Sequence, residues 1–70
     1  MTEIQQKIYN AIREFIQVKG YSPSVREIGA IVGLRSSATI HEHLTKIRRQ
    51  GYIDFEPGKS RTLRVLKDRL

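Results

Sequence analysis

The seventy residues predict a mostly α-helical fold with a small β-hairpin, on three observations. Apolar residues recur at three- and four-residue spacing through three successive segments, as amphipathic helices require. Capping residues and glycines punctuate those segments. After Gly51 the apolar period drops to two, as strands require.

The first segment carries Ile4, Ile8, Ile12, Phe15 and Ile16 on one face, with Tyr9 and Ala11 beside them. It predicts a helix from about Thr2 to Lys19, closed by Gly20. Thr2 offers a capping hydroxyl, and Glu3 places a negative charge at the positive end of the helix dipole. Pro23 pushes Ser22 out of the helical region, so Tyr21-Ser22-Pro23 is a connector.

Ser24-Val25-Arg26-Glu27 is a Ser-x-x-Glu capping box that starts a second helix. Val25, Ile28, Ile31 and Val32 form its expected buried face. Gly29 costs a helix interior about 1 kcal/mol against Ala. Close approach of another helix backbone is the physical reason to look for there. Gly33 ends the helix and Leu34 packs under the turn. Ser36 then caps a third helix from about Ser37 to Gln50, with Gly51 as its stop and Ile40, Leu44 and Ile47 as its buried stripe.

Tyr52–Glu56 and Arg61–Leu66 alternate about a Pro57-Gly58-Lys59-Ser60 break, which predicts a hairpin with a turn of about four residues. An isolated hairpin is marginal in water, so Ile53, Phe55, Leu63 and Val65 must rest on the helices. Two helices joined by a short Gly-containing turn make a helix-turn-helix. With the first helix and the hairpin, the expectation is a winged helix-turn-helix: three helices plus a two-stranded wing, one domain over residues 1–70.

Composition narrows the function. The chain has no cysteine, which removes disulfides and thiolate metal sites. No apolar run approaches a membrane span and no signal peptide opens the chain, so a soluble, cytoplasmic protein is expected. There is no Gly-rich phosphate loop and no nucleophile with a matching base, so no enzyme and no cofactor are expected. His41 and His43 stand two apart on a helix and diverge by about 200°, whereas zinc needs converging ligands. No metal is expected. Tyr9, Tyr21 and Tyr52 lie on separate elements and form no stacking platform for single strands.

The net charge is +6, and it is uneven. Up to Leu34, Lys7, Arg13, Lys19 and Arg26 face Glu3, Glu14 and Glu27, a balance of +1. From Arg35 onward nine Lys/Arg face Glu42, Asp54, Glu56 and Asp68, a balance of +5. A basic helix-turn-helix points to a polyanion, and specifically to duplex DNA.

Stepping about 100° per residue from Ile40 keeps Leu44 and Ile47 in one sector and turns Ala38, Glu42, Thr45, Lys46 and Arg49 to the opposite face. Thr39 and His41 flank that face. In a recognition helix the N-terminal residues reach base edges and later cations take phosphates. Ser36, Thr39 and His41 have hydrogen bonds to offer, Ala38 a methyl for thymine, and Glu42 an acceptor for a cytosine amino group. The phosphate candidates are Ser24, Arg26, Arg35, Thr45, Lys46 and Arg49. Lys59 and Arg61 sit on the wing, within expected reach of an adjacent groove or backbone.

The run GYSPSVREIGAIVGLRSSATIHEHLTKIRRQGYI resembles the N-terminal DNA-binding domain of the LexA repressors, particularly those of Gram-positive bacteria. QQKIYNAIREFI before it and GKSRTLRVL after it fit the same domain, so the resemblance covers nearly the whole chain. It implies a winged helix that represses DNA-damage-response genes by binding palindromic operators as a dimer. It also implies base contacts at the start of the third helix, carried here by Ser36, Ala38, Thr39, His41 and Glu42, and a wing at Gly58, Lys59, Ser60 and Arg61. Full LexA repressors continue into a dimerising, self-cleaving domain that these residues do not contain. Two expectations follow: the head of a longer repressor, or a free-standing small protein, bacterial or phage- or plasmid-encoded. The expected partners are double-stranded DNA, a second copy on that DNA and, in the rival reading, a regulator protein that this fold modulates by contact.

Overall fold

A computed structural model describes residues 1–66. Lys67, Asp68 and Arg69, which entered the charge balance, and Leu70, the end of the expected domain, lie outside the described residues. Three helices come first, α1 (Glu3–Lys19), α2 (Val25–Val32) and α3 (Ser37–Arg49), followed by strands β1 (Ile53–Asp54) and β2 (Arg64–Val65). The antiparallel pair has Ile53 opposite Val65 and Asp54 opposite Arg64. The expected winged helix-turn-helix architecture is therefore present.

Each helix begins where its capping residue stands. Thr2 accepts from the Gln5 amide, and the Gln5 side chain returns the bond to Thr2 N–H, a full capping box on α1. Ser24 and Glu27 make the predicted box on α2, with Ser24 N–H to Glu27 Oε1 at 2.9 Å and Glu27 N–H to Ser24 Oγ at 3.2 Å. Ser36 Oγ accepts from Thr39 N–H at 3.2 Å and starts α3. Gly33 closes α2 at φ +81°, a left-handed conformation that costs any side-chain-bearing residue more.

Ile8, Tyr9 and Ile12 of α1, Ile28 of α2, Ile40, Leu44 and Ile47 of α3, and Ile53 and Leu63 of the hairpin form one core. Full burial of such side chains contributes about 1.5–3 kcal/mol each, so this cluster is the main force holding the helices together. Tyr9 and Tyr52 meet edge to face at 5.6 Å between ring centres, joining α1 to the chain entering the wing.

The elbow between α2 and α3 explains Gly29. Its carbonyl accepts from both Gly33 and Leu34, at 2.8 and 2.9 Å. A β-carbon added there would lie 2.6 Å from the Leu34 carbonyl oxygen and 2.9 Å from Ile40 Cδ1. The glycine lets the turn fold back onto α2 and brings α3 against it.

Two expectations need correction. Ile31, placed on the buried face of α2, is 56% exposed. The helix has only eight residues and packs along the narrow line of Val25, Ile28, Gly29 and Val32, leaving Ile31 beyond its edge. The hairpin ladder is also shorter and its turn longer than the alternation suggested. Glu56 N–H donates to Thr62 Oγ1 at 2.9 Å instead of to a facing backbone carbonyl, so regular pairing stops after Asp54. Ile53 and Leu63 are buried as expected, while Phe55 and Val65 are half-buried against the core. No helix among the described residues is long and apolar enough to cross a membrane.

Candidate nucleic-acid interface

The core fixes what α3 presents outward. With Ile40, Leu44 and Ile47 buried, Ser36, Ala38, His41, Glu42, Thr45, Lys46 and Arg49 are exposed and Thr39 is half-exposed. Every residue of α3 assigned from the helical wheel to the outer face lies there. Ser36 Oγ is used as an acceptor by the cap, which leaves its O–H free to donate. Thr45 Oγ1 donates back to the His41 carbonyl at 3.0 Å, leaving its oxygen lone pairs outward. Glu42 has no partner among the described residues, and Lys46 one turn on does not pair with it. His43 points the other way: its Nδ1 lies 3.3 Å from Nε2 of the buried Gln5. No cluster of metal-ligating side chains occurs among the described residues.

From Arg26 onward the described cations divide into two groups. Arg48 and Arg64 hold Asp54 at 2.8 and 2.9 Å, Arg61 holds Glu27 at 2.8 Å, and Lys59 lies 3.6 Å from Glu56. Arg26, Arg35, Lys46 and Arg49 have no ion pair or side-chain hydrogen bond among the described residues. Those four were the predicted phosphate cations. Arg26 and Arg35 flank a shallow groove of about 540 Å³ along the elbow, beside Ala30 and Ser37. Ser24, the other phosphate candidate near α2, is half-buried with its oxygen taken by the cap.

The wing stands against the other side of α3. His41 faces Glu56, Lys59 and Ser60 across a cleft of about 340 Å³ floored by Leu44 and Phe55. Gly58, Lys59 and Ser60 are exposed at the tip. Arg61 was expected to reach outward, but its guanidinium lies along the surface against α2 and the connector before it. Nη1 and Nη2 meet the two Glu27 carboxylate oxygens at 2.8 and 3.2 Å, Nη1 also donates to the Ser22 carbonyl at 3.1 Å, and the group lies 5.3 Å from the Tyr21 ring centre. The Arg61 hydrogen bond, with the Ser24 amide, holds the Glu27 carboxyl below its ordinary pKa, and Glu27 raises that of Arg61.

Asp54 is a second polar anchor that the alternation did not reveal. It accepts from its neighbour Phe55 N–H at 2.8 Å as well as from Arg48 and Arg64. The Phe55 amide is the largest cause of its lowered pKa, followed among the stabilising contacts by Arg48. Arg48 also lies 5.1 Å from the Phe55 ring centre, tying the end of α3 to the wing.

A recognition-type helix exposed between a basic elbow and a β wing defines a winged helix-turn-helix of the nucleic-acid-reading class. Residues 1–62 match the family described as the LexA DNA binding domain, and the chain belongs to that family. It is similar to the LexA repressor of Staphylococcus aureus strain Newman, 48% identical over 68 residues that cover 97% of this chain and 33% of that protein. The LexA repressors of strains Mu50 and USA300 give the same identity and coverage. The chain thus spans about a third of the length of the relatives it matches.

Proposed function

We propose that this chain reads double-stranded DNA through α3 and serves as the head of a LexA-type transcriptional repressor, in the cytoplasm at the nucleoid. The observation that carries the reading is the division of cations. From Arg26 onward, three of the four cations seated in ion pairs lie on the wing and the fourth, Arg48, ties α3 to it, while the four without ion pairs among the described residues lie on α2, the elbow and the outer face of α3. A surface that leaves Arg26, Arg35, Lys46 and Arg49 unneutralised suits a polyanion that supplies the missing charge.

Within this proposal Ser36, Ala38, Thr39, His41 and Glu42 meet base edges in the major groove. Arg26, Arg35, Lys46 and Arg49 take phosphates, with Ser24 and Thr45 as hydroxyl contacts. The wing tip at Gly58, Lys59 and Ser60 follows the flanking backbone. The longest dimension of the molecule, 30 Å, is less than the roughly 34 Å of one DNA turn, so one copy covers one half-site. A palindromic operator then takes two copies about one turn apart. If one head binds at about 10⁻⁵ M, linking two at an effective concentration near 10⁻³ M brings the pair to about 10⁻⁷ M without a new contact. Dimerisation, more than any further contact, sets repression strength in this reading.

In vitro selection of bound duplexes would return the half-site and its spacing. On the selected duplex, four neutralised phosphates per head predict that log K for each bound head falls with log salt at a slope near −3.6. Gel shifts over a salt series measure that slope; binding that ignores salt, or no duplex binding at all, would refute the proposal.

A further inference from the structure

Ile53 and Leu63 anchor the base of the wing in the core, but the loop between Phe55 and Leu63 carries no buried apolar residue. The wing's ladder is two residue pairs long. Polar contacts to one place on the helix-turn-helix do the rest. Leu63 N–H donates to Ser22 Oγ at 3.0 Å, and Arg61 reaches Ser22 O, Glu27 and the Tyr21 ring. Glu27 Oε1 accepts from Ser24 N–H at 2.9 Å and from Arg61 Nη1 at 2.8 Å. One oxygen atom thus caps α2 and fastens the wing. Arg61 also has φ +56°, the one positive value at a non-glycine residue in the described chain. L-residues rarely adopt that region, and one held there by four contacts is set by its surroundings.

We propose that Arg61 is a positioning residue, not a DNA contact: its bond to Glu27 sets the wing at a fixed distance from α3, and so the width of the His41–Lys59 cleft through which the duplex backbone runs. This rests on the DNA-reading proposal above. The linkage has a direct path. Glu27 belongs to α2, α2 is locked to α3 through the Gly29 elbow, and Arg61 ends the loop that carries Lys59. Removing the bond leaves both helices intact and lets the wing swing.

The test is a double-mutant cycle of Glu27→Gln, Arg61→Asn and both together. Gln still caps α2 from the third helical position, so Glu27→Gln removes the ion pair and little else; Asn tolerates the left-handed conformation, and Arg61→Asn removes the Ser22 and Tyr21 contacts along with the ion pair. On the selected duplex each single change should weaken binding about three- to tenfold, and the double change no more than Arg61→Asn alone. Glu27→Gln is the decisive arm. If Arg61 were itself a phosphate contact, losing the competing carboxylate would free it and tighten binding; tighter binding, or losses that add, would overturn the proposal. Hydrogen exchange of the Leu63 amide in the free protein gives a second readout: it should quicken in both variants, and an unchanged rate would overturn the strut even where affinity falls. Should the unsubstituted chain bind no duplex, the DNA-reading proposal fails, and the Leu63 exchange decides on its own whether Arg61 fixes the wing.

Discussion

Gly29→Ala sets two known effects against each other, and the structure says which wins. Alanine favours a helix interior over glycine by about 1 kcal/mol, so propensity alone predicts a more stable protein. The new methyl, however, would stand 2.6 Å from the Leu34 carbonyl oxygen, where ordinary contact begins near 3.4 Å. The obstacle is backbone, tied down because Gly33 and Leu34 both donate to the Gly29 carbonyl. Ile40 Cδ1 at 2.9 Å can rotate, but only within a packed core. Overpacking of this kind costs about 1–3 kcal/mol, and a rigid obstacle on one side puts this site at the upper end. Subtracting the propensity gain leaves a net loss of about 2 kcal/mol, against the 3–5 kcal/mol or so that a core in a chain this small supplies. The melting temperature should fall by about 8–16 °C, followed by circular dichroism, with a matching shift of the urea midpoint. Gly33→Ala is the internal comparison: its added carbon meets nothing within 4 Å, so only the φ +81° strain remains, about 1–2 kcal/mol. A Gly29→Ala protein that melts at or above the parent would refute the close-packed elbow.

Two further outcomes follow from the interface. Arg49→Ala should weaken operator and random duplex alike, whereas Thr39→Ala and Glu42→Ala should change which sequences are selected; equal effects of all three on both duplexes would contradict the division between phosphate and base contacts. Glu27, through Arg61, and Asp54, through the Phe55 amide and then Arg48, have folded pKa values below their ordinary ones, so these contacts to the charged carboxylates stabilise the fold at pH above the unfolded carboxylate range and lose that contribution as pH falls through the folded values. Thermal midpoints should accordingly be level above about pH 5 and decline below about pH 4, and a midpoint that climbs on such acidification would count against both anchors.

The helices were legible in the sequence because their signals are local. Ser24-x-x-Glu27, Ser36 and Gly33 act within one turn of where they stand, and the Ile40, Leu44 and Ile47 stripe fixes the outer face of α3 by geometry alone. Gly29 was legible as an anomaly, and the Leu34 carbonyl supplies its reason. Ile31 was misplaced because periodicity marks a face without saying how wide a strip the neighbours cover. The wing was least legible. Alternation at Tyr52–Glu56 could not show that Thr62 Oγ1 takes the Glu56 amide six positions away. Glu27 and Arg61 are 34 positions apart, and Gln5 and His43 38 apart, so no spacing rule connects either pair.

The two parts of the interface are therefore held by different physics. The outer face of α3 is set by a dry aliphatic core, which added salt does not weaken. The base of the wing shares that core, but its outer loop is set by the Arg61–Glu27 ion pair, at about 45% and 36% side-chain exposure, which salt screens over a Debye length of about 8 Å at physiological strength. Raising salt then acts twice on DNA binding: it reduces the gain from releasing counterions, and it loosens the support that aligns Lys59 with the backbone. Base reading by α3 keeps its geometry throughout. Sequence preference should accordingly outlast affinity as ionic strength rises, because the residues that specify are mounted on the core and those that grip the flank are mounted on charge.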